Sequence, residues 1–331
     1  MKRPYPGLAP MVGLLTTVLD TVGRVSIVDA TIEDIKRSRA QVYPTSPPFA
    51  WITGRVRADV TVDEGSAPAR DGATIPLRWY TPSGARSQRP LVVYFHGGGW
   101  VQGSTRMYDP LCSHLAAELD AVVVSVDYRM APEHRAPTAA HDAIDVTRWL
   151  HEHADHGVDR DRIALCGDSA GGNLSAVVAQ QLRDLRTGDG EPVIRHQALI
   201  YPATDMTMAS PSIAEHSQGA ILTQAKIIAF RALYIGDADE AVDYTDPLVS
   251  PLFGEVASVA PALVQTADLD PIRDDGLRYG QTLRRAGVPV RVTNYVGLPH
   301  GFANFPGIAR SGAQHREELV RELHRHLVEE V

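Results

Sequence analysis

The sequence predicts an α/β fold: a mostly parallel, eight-stranded sheet flanked by helices, with a separate helical cap. Three observations lead there. Six strand candidates, most of them short apolar runs, at 91–95, 122–126, 163–166, 198–201, 262–266 and 290–295, have helical patterns between most of them, near 107–119, 139–154, 170–186 and 273–286. One more helical pattern closes the chain near 313–329. Strands apolar at every position are buried on both faces, as parallel sheets are. Earlier, Val56, Ala58, Val60 and Val62 alternate with polar residues, as do Ile75, Leu77 and Trp79, so two half-buried strands open the sheet. Finally, residues 206–246 break the rhythm with a stretch too long for a plain connection, holding a helical pattern at 223–234.

The first fifty residues form helices rather than strands. Leu14, Leu15, Val18, Leu19 and Val22 recur at helical spacing, and a second pattern covers 31–42, with Thr31 and Asp34 placed for a capping box. Tyr43-Pro44-Thr45-Ser46-Pro47-Pro48 then punctuates the chain. Lys2-Arg3 before the apolar stretch 7–15 imitates a signal peptide, but Pro4, Pro6 and Pro10 interrupt it, Thr16 and Thr17 follow, and no A-x-A site ends it. The expectation is an amphipathic helix of the mature chain and, by default, a cytoplasmic location. No apolar run reaches the roughly 20 residues that span a bilayer.

Composition narrows the function classes. The chain has 331 residues, 44% hydrophobic and 22% charged, which excludes disorder, a collagen-like fibre and a disulfide scaffold. With 32 Lys and Arg against 40 Asp and Glu the net charge is −8, so nothing draws it generally to nucleic acid or an anionic membrane. Cys112 and Cys166 read as buried packing.

Chemistry concentrates in three places. Gly167-Asp168-Ser169-Ala170-Gly171-Gly172-Asn173 fits G-x-S-x-G directly after a strand and before a helix. There a tight turn exposes the serine oxygen at a helix N-terminus, where backbone donors favour developing negative charge. His96-Gly97-Gly98-Gly99-Trp100 follows the strand at 91–95, and its glycines let amide N–H groups approach a substrate oxygen. The spacing misses the dinucleotide pattern, and no GK[ST] follows. His96 reads as a brace for the loop. A serine nucleophile needs a base oriented by a carboxylate. His300, in Gly297-Leu298-Pro299-His300-Gly301-Phe302, follows the last strand in a loop, whereas His315, His324 and His326 fall on the closing helix and His196 and His216 come early. For the acid, Asp268, Asp270, Asp274 and Asp275 all lie just beyond a strand. Asp274 and Asp275 suit a helix start, Asp268 and Asp270 are expected to point to opposite sides, and spacing alone does not choose.

These motifs, together with Asp127-Tyr128-Arg129-Met130-Ala131-Pro132-Glu133-His134, Asp270-Pro271-Ile272-Arg273-Asp274 and Ser250-Pro251-Leu252-Phe253, stand in the order seen in the hormone-sensitive lipase-like family of carboxylesterases. The sequence resembles that family from about residue 50 to the end. The resemblance implies an α/β-hydrolase fold and a serine esterase acting on short- to medium-chain carboxylic esters through an acyl-enzyme. It assigns Asp270, the aspartate before proline, as the acid beside Ser169 and His300, and makes Asp268 a supporting residue. The oxyanion donors become the amides of Gly98, Gly99 and Ala170, with Gly97 as a further candidate. Asp127, Arg129 and Glu133 become loop braces.

The expected organisation is then cap helices in 1–50, a catalytic domain in 51–205 and 247–331, and a cap insertion in 206–246. Trp51 and Trp100 either line the acyl pocket or pack. No cofactor and no metal is expected: the His151-Glu152-His153 run with His156 has no HExxH spacing. The partner is a small-molecule ester, and the chain is a monomer or homodimer. The alternatives are an amidase or deacetylase with the same triad, or an inactive ligand-binding homologue, whose usual mark is loss of the base that His300 here supplies.

Overall fold

The computed structural model describes residues 5, 7–21, 25–42, 44–47, 49–84, 86–236, 242–307 and 309–329. Of the residues singled out above, Lys2, Arg3, Pro4, Pro6, Val22, Tyr43 and Pro48 lie outside this set, as do the side chains of Thr17, Val18 and Leu19.

Eight strands form one sheet: β1 (Val60–Pro68), β2 (Thr74–Pro82), β3 (Arg89–Phe95), β4 (Val122–Val126), β5 (Val158–Asp168), β6 (Ile194–Ile200), β7 (Ala262–Leu269) and β8 (Val290–Pro299). Their order is β1-β2-β4-β3-β5-β6-β7-β8. β2 pairs antiparallel with β1 and β4, and every other pairing is parallel. The helices are α1 (Pro10–Thr21), α2 (Ile32–Arg39), α3 (Ala50–Thr53), α4 (Asp109–Leu119), α5 (Thr138–His153), α6 (Ala170–Gln181), α7 (Ser212–Glu215), α8 (Gln224–Ile235), α9 (Arg273–Arg285) and α10 (Arg310–Leu327).

Every residue of β3 and β4 is buried, because alternate side chains enter two different cores. Leu91, Val93 and Phe95 join Val122, Val124 and Leu165 against Ala143 and Leu150 of α5 and Leu174 and Val178 of α6. Val92, Tyr94, Val123 and Cys166 face the other way, onto Leu111 and Leu115 of α4 and Leu319 and Leu323 of α10. A third cluster packs Tyr279 and Leu283 of α9 on Val264 and Leu199. Each fully buried aliphatic side chain contributes about 1.5–3 kcal/mol, so this layering holds the strand ends, and the loops beyond them, in place.

Several boundaries differ from the sequence expectation. β1 starts at Val60 and not at Val56, because its partner β2 ends at Pro82, opposite Val60. The helix expected over 170–186 stops at Gln181, and the chain then turns back so that Arg186 bridges to Pro192. On α1 the inner face is formed by Val12 and Thr16, below buried Leu8, whereas Leu14 is 60% exposed. The capping box of α2 is formed as expected, with Thr31 and Asp34 bonding each other's backbone amides. Cys112 and Cys166 are free and buried, and burial pushes both thiols up.

Candidate active site

β5 ends at Asp168 and α6 begins at Ala170, so Ser169 alone makes the turn between them. Its backbone sits at φ 54° and ψ −116°, a conformation that costs a non-glycine residue about 1–3 kcal/mol and persists where neighbours enforce it. They do so here. The Ser169 amide donates to the Ile200 carbonyl at 2.8 Å, and the Ser169 carbonyl accepts from Asn173 at 3.0 Å. Asn173 Nδ2 in turn donates to the carbonyls of Ala203 and Val249.

His300 Nε2 lies 2.9 Å from Ser169 Oγ, and His300 Nδ1 lies 2.7 Å from Asp270 Oδ2. The other carboxyl oxygen of Asp270 accepts the Ile272 amide at 2.9 Å. A carboxylate accepts from Nδ1–H, which leaves Nε2 with a lone pair facing the serine hydroxyl. Asp270 and His300 are buried and Ser169 is half-buried.

The other aspartates have different partners. Asp268 meets Asn294 and the Gly297 amide, and Asp274 accepts the Ser212 amide. Asp275 is buried on the amides of Thr204 and Asp205. Nor does any other histidine stand in for His300. His315 is bonded to Gln265 and pushed down to about 3 by burial, His326 stacks on His196, and Arg273 donates to His216.

Phe95 on β3 pairs with Gly167 on β5, which sets the loop 96–100 beside the serine turn. Gly97 is corrected as an oxyanion candidate: its N–H donates to Asp168 Oδ1 at 2.8 Å, with Tyr108 Oη at 3.2 Å. Among the described residues the amides of Gly98, Gly99 and Ala170 have no acceptor. Gly98 and Gly99 both have positive φ, 124° and 62°.

A family profile described as the alpha/beta hydrolase fold matches residues 92–304. The carboxylic ester hydrolase LipN of Mycobacterium tuberculosis is 40% identical over 90% of this chain and 78% of its own. The ethyl acetate hydrolase of Pseudomonas putida is 37% identical over 84% of this chain and 87% of its own. The solved hyperthermophilic esterase of Pyrobaculum calidifontis superposes with a TM-score of 0.81, at 34% identity over 96% of this chain and 98% of that one. The chain belongs to the hormone-sensitive lipase-like carboxylesterases of the α/β-hydrolase fold.

The esterase holds the loop 96–100 and its surroundings with several side-chain contacts. His96 is buried, its Nδ1 lies 2.8 Å from the Gly97 carbonyl, and its ring stacks on Tyr128, whose hydroxyl donates to the His96 carbonyl. Arg39 of α2 reaches across to the Val101 and Ala131 carbonyls and to Glu133. Arg129 clasps fully buried Asp142 and exposed Asp71, and the Asp127 carboxylate stands 3.9 Å from His96 Nε2. Trp100 is buried and stacks on Tyr234 of α8 with ring centres 4.4 Å apart, so it packs. Trp51 is 68% exposed on α3, because that short helix turns its Ala50 and Thr53 inward instead.

Sequence reasoning missed the residues that enclose the esterase's site. Phe230 of α8 lies against Gly99, and Ile221 lies beside Gly301. Ile221 also joins Val12, Leu15, Leu298 and Phe302 in an apolar cleft under α1. Neither Phe230 nor Ile221 belongs to a local motif. Among the described residues no helix is long and apolar enough to cross a membrane.

Proposed function

We propose that this carboxylesterase cleaves small esters of short- to medium-chain acids through an acyl-enzyme on Ser169. His300 Nε2 takes the hydroxyl proton as Oγ attacks the ester carbonyl, and Asp270 holds the imidazole tautomer and favours its charged form. The amides of Gly98, Gly99 and Ala170 receive the oxyanion, each donor contributing about 3 kcal/mol, with Ala170 adding the dipole of α6. His300 then protonates the leaving alkoxide and activates the water that releases the acid. Residues 1–50 and 206–246 act as the cap, and the nearness of Phe230 to Gly99 supports limited room for the acyl chain. The cytoplasmic location and the monomer-or-homodimer state belong to the same proposal, the former supported by the two free cysteines.

The observation that carries this reading is the unbroken line Ser169 Oγ, His300, Asp270, with contacts of 2.9 and 2.7 Å. The test is hydrolysis of p-nitrophenyl esters of increasing acyl length by wild type and Ser169→Ala, with organophosphonate labelling located by mass spectrometry. Wild type is expected to favour short to medium chains and to be labelled once, at Ser169, and the variant to be inactive and unlabelled. Full turnover by Ser169→Ala would overturn the mechanism.

A further inference from the structure

Asp168 carries no role in the reaction just described, yet it is a carboxylate with 2% exposure, one residue before the nucleophile. Oδ1 accepts the Gly97 amide at 2.8 Å and the Tyr94 hydroxyl at 2.9 Å, and Oδ2 accepts the hydroxyls of Tyr108 at 3.0 Å and Tyr201 at 3.3 Å. A buried carboxylate is an expensive way to fill space, and an apolar side chain of similar volume usually serves as well. What the carboxylate achieves here is directional. It grips the N–H of Gly97, while His96 Nδ1 meets the carbonyl of the same residue at 2.8 Å. With both poles of Gly97 held, the following peptide planes are fixed, and these carry the unpartnered amides of Gly98 and Gly99. Resting on the esterase reading above, we propose that Asp168 is the positioning residue of the oxyanion loop, anchoring Gly97 so that the next two amides face the oxyanion. Three tyrosine hydroxyls from separate parts of the chain supply the donors that keep the carboxylate in place. Burial pushes this carboxyl up, and the hydrogen bonds from Tyr94 and Tyr108 oppose that rise.

The role concerns the transition state, so its loss is read in kcat and not in ground-state binding. Asp168→Ala and Asp168→Leu are compared with wild type and Ser169→Ala on p-nitrophenyl butyrate, with folding checked by circular dichroism. A trifluoromethyl ketone, which forms a tetrahedral oxyanion on the serine, is titrated as inhibitor. The expected result in either folded variant is a kcat loss of about 10²–10³-fold, KM within threefold, and ketone affinity falling in parallel. Asp168→Asn retains an acceptor for the Gly97 amide and is expected to keep kcat within tenfold. A folded Ala or Leu variant with kcat within fivefold of wild type would sink the proposal. So would a kcat loss without loss of ketone affinity, or a folded Asn variant as impaired as alanine. If wild type itself fails to turn over, or Ser169→Ala still does, the esterase reading fails instead.

Discussion

Leu269 of β7 is the register partner of Pro299 of β8, and the residues directly after these two strand ends are Asp270 and His300. The contact between Asp270 and His300 is therefore a property of sheet register, in which a slip of one residue would turn each side chain to the opposite face. Residues held this way act as a unit. Asp270→Asn is expected to lower kcat by up to about 10⁴-fold with little change in KM, and His300→Gln at least as much. The double variant is expected to be no worse than His300→Gln alone, measured on p-nitrophenyl butyrate. Multiplying losses would mean that the two side chains contribute independently.

The register also explains what could be read from the sequence. Ser169 and His300 announce themselves because each sits in a local motif at the end of a strand. The choice of Asp270 over Asp268 came only through family resemblance, since it depends on the irregular register between Ala267 and Leu269 of β7. The grip of Asp168 on Gly97 was illegible, because Tyr94, Tyr108 and Tyr201 meet there from distant stretches of chain. The strands and long helices were legible from burial period. The one-turn helices α3 and α7 were not, being too short to show a period.

Asp275 ties the start of the 206–246 segment to α9, and burial pushes it up to about 7, with Ser210 opposing and the Asp205 charge adding to the rise. In the unfolded chain the same group releases its proton near the ordinary value of 3.8. Between those two values the folded form holds the extra proton, so stability falls as pH rises from about 4 to about 7, by at most about 1.4 kcal/mol per pH unit. Asp275→Asn mimics the protonated form, since its oxygen can accept the Thr204 and Asp205 amides while its NH2 donates to Ser210. Urea unfolding at pH 5 and pH 7.5 is expected to show wild type losing stability relative to the variant at the higher pH. A constant difference would mean that Asp275 does not titrate in that window.

Tyr234 is fully buried on Trp100, and its hydroxyl has no hydrogen-bond partner among the described residues. An unsatisfied buried hydroxyl costs about 1–3 kcal/mol, and the ring alone makes the stack. Tyr234→Phe is therefore expected to raise Tm by about 2 °C in calorimetry. A lower Tm would reveal that water reaches the hydroxyl in solution.

Gly98 and Gly99 adjoin one another in the proposed oxyanion loop but have different neighbours, and this separates two kinds of defect. A Cβ on Gly98 would run into the backbone carbonyl of Gln102, which cannot yield without moving the loop. A Cβ on Gly99 would come 2.5 Å from Phe230 Cδ1, a side chain on another helix that can be shortened. Both alanine variants also carry the strain of a positive φ, about 1 kcal/mol or more. Gly98→Ala and Gly99→Ala are each expected to lose about 10²-fold or more in kcat as the amides leave the oxyanion position. Adding Phe230→Ala is expected to restore at least tenfold to Gly99→Ala and nothing to Gly98→Ala, read as kcat on p-nitrophenyl acetate. Equal rescue of both, or of neither, would mean that the ring of Phe230 does not limit the space above Gly99.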